Sequence, residues 1–433
     1  MPNMITDTRA KPSIIPYEQG APLGSASLLA RLGRRLLLRQ LGNFRHGELR
    51  VLEGGREHRF GKRTAVCDLG CTLHIDHPQM FADTAFGGTV GAGEAYIRGL
   101  WRCDNLTNLV RIFIANREQM NAMDGGWAAF VSQPLHKLFH FANRNSKSGS
   151  ARNITAHYDL GNDLYRLMLD ETMAYSCGIF ATPATSLHDA QLAKFDAACR
   201  KLDLQCGEQL LEIGTGWGGL AVHAAERYGA KVTTTTISQA QYDYARDLIA
   251  QRGLTDRVTV LLDDYRDLDG KFDKLVSIEM IEAVGAKYLD AYLAKCSALL
   301  KPDGAMLLQA ITIQDQFYEQ ALQSVDYIQR FIFPGSFIPS IEAISRSLTR
   351  VTDMKVFHLE DIGPHYATTL QHWRARFFDN LAAVRKLGYP ESFVRLWEYY
   401  LCYCEGGFAE RQLGDVQMLL TKPGCRRQVL ACA

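Results

Sequence analysis

The chain has 433 residues, enough for two or three domains of ordinary size. Hydrophobic residues make up 47% and charged residues 22%, the balance of a globular protein rather than a disordered one. The 48 basic side chains nearly cancel the 47 acidic ones, so no global field argues for nucleic acid, and no run of about 18 apolar residues predicts a spanning helix.

The N-terminal MPNMITDTRAKPSIIPYEQG is polar and broken by prolines, unlike a signal peptide. The eleven cysteines are scattered, with no C-x-x-C. Reduced thiols in a cytoplasm explain them more simply than a disulfide framework or a zinc site.

LLARLGRRLLLRQLG (28–42) reads as a basic amphipathic helix. At helical spacing Arg31, Arg34 and Arg35 cluster on one side and Leu29, Leu32 and Leu36 on another, with Arg39 at the edge of the leucines. Two readings fit: adsorption to anionic lipid, or a packing helix with a solvated charged side. Residues 46–85 alternate short polar and apolar pieces with glycines, as small strands would. GAGEAYIRGLW (91–101) follows, then a helical stretch to about 120. NRNSKSGSARN (143–153) has almost nothing to bury and reads as a linker. These shifts divide the chain into an N-terminal domain (1–142), a linker (143–156) and a catalytic domain (157–433).

From 157 the pattern becomes α/β. LLEI (210–213), KVTTTT (231–236), RVTVLL (257–262), DKLVSI (273–278) and AMLLQAITI (305–313) are predicted strands. Helices lie between them, one from Ser238 to about Gly253 and one near 287–300, which stops at LKPDG. This alternation implies a parallel, doubly wound, Rossmann-like sheet. The tail after 314 reads as largely helical, with DVQMLLT (415–421) as a late strand.

Gly214, Gly216 and Gly219 fit G-x-G-x-x-G after the first of these strands. Such a loop brings backbone close to a nucleotide at a helix N-terminus. A dinucleotide also needs an acidic residue at the end of the second strand. That strand ends in threonines, Ile237 and Ser238, with no carboxylate. S-adenosylmethionine suits the setting better. Glu212 can face an amino group, Gln241 and hydroxyls replace the ribose acid, and Asp263, Asp264 and Tyr265 follow the third strand, where an adenine can be held.

AHYDLGNDLYRLMLDETMAYSCGIF (156–180), LLEIGTGWGG (210–219), TISQAQ (236–241), SIEMIEAVG (277–285) and FIFPGSFIPS (331–340) together resemble the cyclopropane fatty acid synthase family. GELRVLEGG and GAGEAYIRGLW extend the resemblance to that family's smaller N-terminal α+β domain. The resemblance implies a class I methyltransferase fold with a helical lipid-binding insert. It implies methyl transfer from S-adenosylmethionine to the cis double bond of an unsaturated phospholipid acyl chain, forming a cyclopropane. It places Tyr175, Ser176, Gly214, Gly216, Thr236, Gln241 and Tyr265 at the cofactor, and His157 and Tyr158 at the mouth of the acyl channel. It implies a bicarbonate ion at Cys177, Glu282, Gln309, Ile311 and Tyr366. The partner is a membrane phospholipid, met at the inner face of the cell membrane by a cytoplasmic enzyme, with a homodimer left open.

Two positions depart from the family's pattern. Its F-E-H-V-G reads Ile281-Glu282-Ala283-Val284-Gly285, and its L-L-H-T-I reads Leu307-Leu308-Gln309-Ala310-Ile311. Two histidines are therefore absent, and Gln309 can donate to an anion but cannot become cationic. A methylene- or methyl-branched product stands as the alternative, because a misplaced base lets a hydride shift precede proton loss. A non-catalytic lipid-binding protein on the same scaffold is a third reading. Tyr158, Tyr366, Phe333 and Phe337 are candidates to stabilise a carbocation with their ring faces, ordinary core packing being the favoured reading for the two phenylalanines. Cys177 does not read as a covalent nucleophile, since an alkene has no acyl centre to attack.

Overall fold

A computed structural model describes residues 27–118 and 160–427. The first stretch runs α1 (Leu28–Leu41), β1 (Gly47–Glu53), β2 (Arg56–Lys62), β3 (Gly70–Ile75), α2 (Gln79–Ile97), β4 (Trp101–Cys103) and α3 (Leu106–Ala115). Its sheet has the order β2-β1-β3-β4, with β1 antiparallel to β2 and parallel to β3. Gly54 and Gly55, both at positive φ, make the two-residue turn that joins β1 to β2. The strand-like reading of 46–85 holds as far as Ile75 and fails beyond it. Residues 79–97 are helical, with a break at Gly88 (φ 57).

The second stretch begins with α4 (Asn162–Met168) and α5 (Leu187–Leu202). It alternates β5 (Gln209–Ile213), α6 (Gly219–Tyr228), β6 (Lys231–Thr235), α7 (Gln239–Gln251), β7 (Val258–Leu261), β8 (Phe272–Ile278), α8 (Leu289–Leu299) and β9 (Leu300–Ile313). Helices α9 (Asp315–Leu322), α10 (Tyr327–Phe331) and α11 (Ile341–Val351) lead to β10 (Lys355–Asp361). Then come α12 (Gly363–Asp379), α13 (Leu381–Lys386), α14 (Glu391–Ala409) and β11 (Leu413–Thr421). The seven-stranded sheet is ordered β10-β11-β9-β8-β5-β6-β7. It is parallel from β9 to β7, and β11 runs antiparallel to both its neighbours. This is the α/β class I methyltransferase fold with a small N-terminal sheet beside it.

Each predicted strand is present. The LKPDG breaker acts inside a strand rather than before it: Phe272 pairs with Leu300 and Lys274 with Ala305, so the residues between are bulged out of register. The tail also holds an unpredicted strand, β10. It lies on the sheet edge, mostly exposed, and its charged residues mask any alternation.

The two stretches share one hydrophobic cluster, which includes Leu37, Trp101 and Ile112 with Tyr327, Trp397 and Tyr400. Helix α14 packs on both α2 and α3. Two glycines permit this approach: a Cβ on Gly93 would lie 2.3 Å from the Tyr327 ring, and one on Gly406 2.6 Å from Val110. Arg111 pairs with Glu410 at 2.6 Å, and the Tyr96 hydroxyl donates to Glu398 at 2.6 Å. The linker expected at 143–156, and with it the domain boundary, lies outside the described residues.

Candidate active site

The loop after β5 turns at Gly214 (φ 103), Gly216 (φ 52) and Gly218 (φ 92), conformations that favour glycine. Gly214 N–H and Thr215 N–H both donate to the Thr235 carbonyl at 3.1 Å, which fixes the loop against β6. Glu212 is buried beside it and accepts from the Thr234 hydroxyl at 2.6 Å. Burial pushes its carboxyl up to about 8. Thr236 is buried and donates to Gln241 Oε1 at 2.8 Å, so hydroxyl and amide stand where a dinucleotide site needs an acid. Tyr265 meets Tyr292 edge to face at 5.4 Å. Asp264 serves structure: it accepts from Arg266 N–H at 3.0 Å and pairs with the Arg266 guanidinium.

A cavity of about 1440 Å³ begins at this loop. All seven cofactor positions named above line it. It continues past Glu282, Ile311, Tyr366 and Phe333 and reaches Leu37, Trp101 and Leu109 of the N-terminal stretch. One space thus joins a polar, glycine-lined end to an apolar end between the two sheets. His157 and Tyr158 lie outside the described residues.

At the centre is a residue that sequence reasoning passed over. Glu279 follows β8 at φ 47, a strained backbone for a non-glycine residue. Its Oε1 accepts from Cys177 N–H at 2.8 Å and from the Gln309 amide at 2.8 Å, and its Oε2 accepts from the Tyr366 hydroxyl. Three of the five residues expected around bicarbonate therefore converge on this carboxylate. Burial raises its pKa, and the hydrogen bonds from Tyr366 and Cys177 oppose the rise. Cys177 and Gln309 do not themselves line the cavity. The Cys177 thiol is fully buried, and burial pushes its pKa up, as expected of a thiol that is no nucleophile.

The orientation of Gln309 is set from behind. Lys201 Nζ donates to Gln417 Oε1 at 2.6 Å, and Gln417 Nε2 donates to Gln309 Oε1 at 2.9 Å. An ammonium can only donate, so both amides are fixed and the Gln309 NH₂ must face acceptors. It donates to Glu279 and, at 3.0 Å, to Asp415. Burial raises the Asp415 pKa far above the usual carboxylate range, with the charges of Glu279 and Glu282 adding to it.

Glu282 is held differently. Its Oε1 accepts from Ile311 N–H at 2.6 Å, while its buried Oε2 has no hydrogen-bond partner among the described residues. Burial, then the charge of Glu279, pushes its carboxyl up to about 8. Lys194, also unforeseen, is completely buried and donates to Ser176 Oγ at 2.7 Å. Burial lowers its pKa to about 8, against the pull of Glu279. Within AKFDAACRKL a lysine reads as a solvated helix residue, and only the tertiary fold turns it inward.

The glycine loop, the buried Glu212 and the Thr236–Gln241 pair fit S-adenosylmethionine. The expected bicarbonate set does not fit a free ion: the Cys177, Gln309 and Tyr366 donors are already spent on Glu279, leaving only Ile311 and Glu282 outside that cluster.

The sequence profile of the mycolic acid cyclopropane synthetase family matches residues 145–418. Tuberculostearic acid methyltransferase UfaA1 of Mycobacterium tuberculosis is 35% identical over 98% of both chains. The cyclopropane-fatty-acyl-phospholipid synthase of Escherichia coli K12 is 36% identical over 81% of this chain and 87% of its own. Among solved structures, the mycolic acid cyclopropane synthase CmaA1 complexed with SAH and CTAB superposes with a TM-score of 0.59 at 33% identity, over 63% of this chain and 98% of that one. A two-stretch architecture, a cofactor loop opening into an apolar cavity and these matches agree: the chain belongs to the cyclopropane fatty acid synthase family of S-adenosylmethionine-dependent methyltransferases.

Proposed function

We propose that the protein methylates the cis double bond of an unsaturated phospholipid acyl chain and releases a methylene-branched chain rather than a ring. The observation that carries this is the Glu279 carboxylate, lodged among the donors expected to hold a free base. The full-length similarity to a tuberculostearic acid methyltransferase supports the same direction.

S-adenosylmethionine supplies an electrophilic methyl group when bound. Gly214, Gly216, Thr236, Gln241 and Tyr265 hold it, with Glu212 and Ser176 beside the loop. The cavity brings an olefin to it without water, and such positioning can contribute on the order of 7 kcal/mol or more. The π pair of the olefin would form the new C–C bond as the methyl–sulfur bond breaks, its electron pair staying on the departing thioether sulfur, and a cation would be left on the adjacent carbon. Tyr366, whose ring stacks on Phe408 at 4.3 Å, and Phe333 line the cavity, where a ring face would serve a cation. Each such face contributes roughly 1–2 kcal/mol to a cation. Glu279 lines the same cavity. Its lone pairs are occupied by three donors, so it is a poor base for immediate ring closure.

A hydride then moves from the methylated carbon to the cationic one, which leaves the charge on the branched carbon. A methyl C–H bond breaks, its electrons form the exocyclic double bond, and the proton goes to a base. Glu282 is suited to this: the residue lines the cavity, its Oε2 has no hydrogen-bond partner among the described residues, and its pKa is pushed up to about 8. We assign Cys177 and Gln309 to positioning Glu279, and Ile311 to holding Glu282. Described residues of the N-terminal domain (1–142) line the apolar end, and the catalytic domain (157–433) carries the chemistry; the assignment of His157 and Tyr158 to the acyl channel rests on the family resemblance alone.

Incubation with methyl-labelled S-adenosylmethionine and an oleoyl phospholipid, followed by proton NMR of the fatty acids, tests this. Vinylidene signals support the proposal. High-field ring protons would return the ring-forming reading, and unlabelled lipid would sink both.

A further inference from the structure

We propose that α1 docks the protein on an anionic bilayer and that the acyl chain enters the cavity beside it. The proposal rests on the lipid-substrate reading above and names the surface that reading requires.

Helix α1 buries Ala30, Gly33, Leu37 and Leu41. Gly33 sets this face, because a Cβ there would lie 2.5 Å from the Phe81 carbonyl of α2. The leucines at the other helical positions are left outside. Leu28 is 77% exposed, Leu29 61%, Leu32 49% and Leu36 42%. Four large apolar side chains on successive turns of one small helix form a continuous ridge. Arg31, Arg35 and Arg39 flank it, exposed and without a carboxylate partner among the described residues. Arg34 differs: it makes a bidentate pair with Glu53 of β1 at 2.8 Å and anchors the helix to its sheet.

Apolar ridge and free cations together select the occupant. A second copy meeting this face about a two-fold axis would set arginines against arginines. An uncharged apolar partner would leave three cations without a role. An anionic lipid surface satisfies both, with leucines in the acyl boundary and guanidinium groups at the phosphates.

The cavity opens at the same place. Leu37, Gln40 and Leu41, on the next turns of α1, line it. Facing them, Phe86–Thr89 are exposed and also line it. Phe86 is 50% exposed, and α2 is broken at Gly88 with open space around it. An acyl chain leaving a bilayer under the ridge therefore meets the cavity without crossing water.

The test uses the full chain and vesicles of phosphatidylcholine, with and without phosphatidylglycerol, sedimented at low and high salt. Wild type binds the anionic vesicles, and high salt weakens binding. Replacing Arg31, Arg35 and Arg39 by Gln lowers that affinity about tenfold or more. Replacing Leu29, Leu32 and Leu36 by Ser lowers binding to both kinds of vesicle. Both variants keep wild-type affinity for S-adenosylhomocysteine and wild-type turnover on detergent-dispersed lipid. Unchanged vesicle binding in both variants overturns the proposal. So does a leucine variant that turns a dimer into a monomer while binding vesicles as before, which would identify a second copy as the occupant. Vesicle binding needs no turnover, so a chain that binds vesicles but does not methylate lipid refutes the functional reading and not this one.

Discussion

Gln309 gives its side-chain amide to Glu279 at 2.8 Å, and this one bond ties the reaction centre to the back of the sheet. Behind it the donors run in one direction, from Lys201 to Gln417 to Gln309 to Glu279. Reversing any amide would leave a buried donor facing a donor, at about 1–3 kcal/mol.

Gln417→Glu removes the amide that fixes Gln309 while keeping an acceptor for Lys201. The expected result is about a tenfold fall in kcat, with affinity for S-adenosylhomocysteine unchanged. Lys201→Arg, which still only donates, keeps activity near wild type. Steady-state kinetics with a parallel binding titration checks both; equal loss of kcat and cofactor affinity would make the chain merely structural.

Glu282 governs a pH dependence in two ways. As the base it must be ionised, so turnover rises with pH until about 8. Glu282→Gln loses that limb and about a hundredfold in turnover, with cofactor affinity unchanged. Stability moves in the opposite sense. The folded chain keeps this proton up to about 8, whereas the unfolded chain releases it near 4.5. Stability from this group is therefore complete below 4.5 and declines as pH rises toward 8; Glu212 acts in the same direction. Denaturant unfolding of Glu282→Gln matches wild type at the acid end and exceeds it by about 5 kcal/mol at the alkaline end.

Gly93→Ala tests how the N-terminal helices seat on α14. The added methyl would meet the buried Tyr327 ring, so urea unfolding is expected to show a loss of about 1–3 kcal/mol. An unchanged midpoint would mean that α2 can shift away freely.

The sheet was legible because buried parallel strands are apolar runs, and because the glycine loop needs backbone that other residues resist. The cofactor end followed from the missing acid after β6. Glu279 was not legible. It stands three residues before Glu282 in SIEMIEAVG and, taken alone, looks like a loop carboxylate; its partners lie 30 to more than 100 residues away in sequence. The glutamine at position 309 was seen as a departure, but its compensation was invisible without the fold. Helix α1 shows the same limit. Its periodicity separated leucines from arginines, yet the buried face was chosen by Gly33 and its contact with α2, which left the leucine ridge outside.

The central claim is that Glu279 stands in for a free ion and directs the product toward a branch. Glu279→Gly relieves the strained backbone and frees the donors of Cys177, Gln309 and Tyr366. The direct measurement is proton NMR of the lipid product from wild type and Glu279→Gly, each with and without added bicarbonate. The account predicts vinylidene product from wild type at either bicarbonate level, and ring protons from the variant that increase with bicarbonate. Ring product from wild type that depends on bicarbonate, or a variant whose product ratio is unchanged, would contradict it.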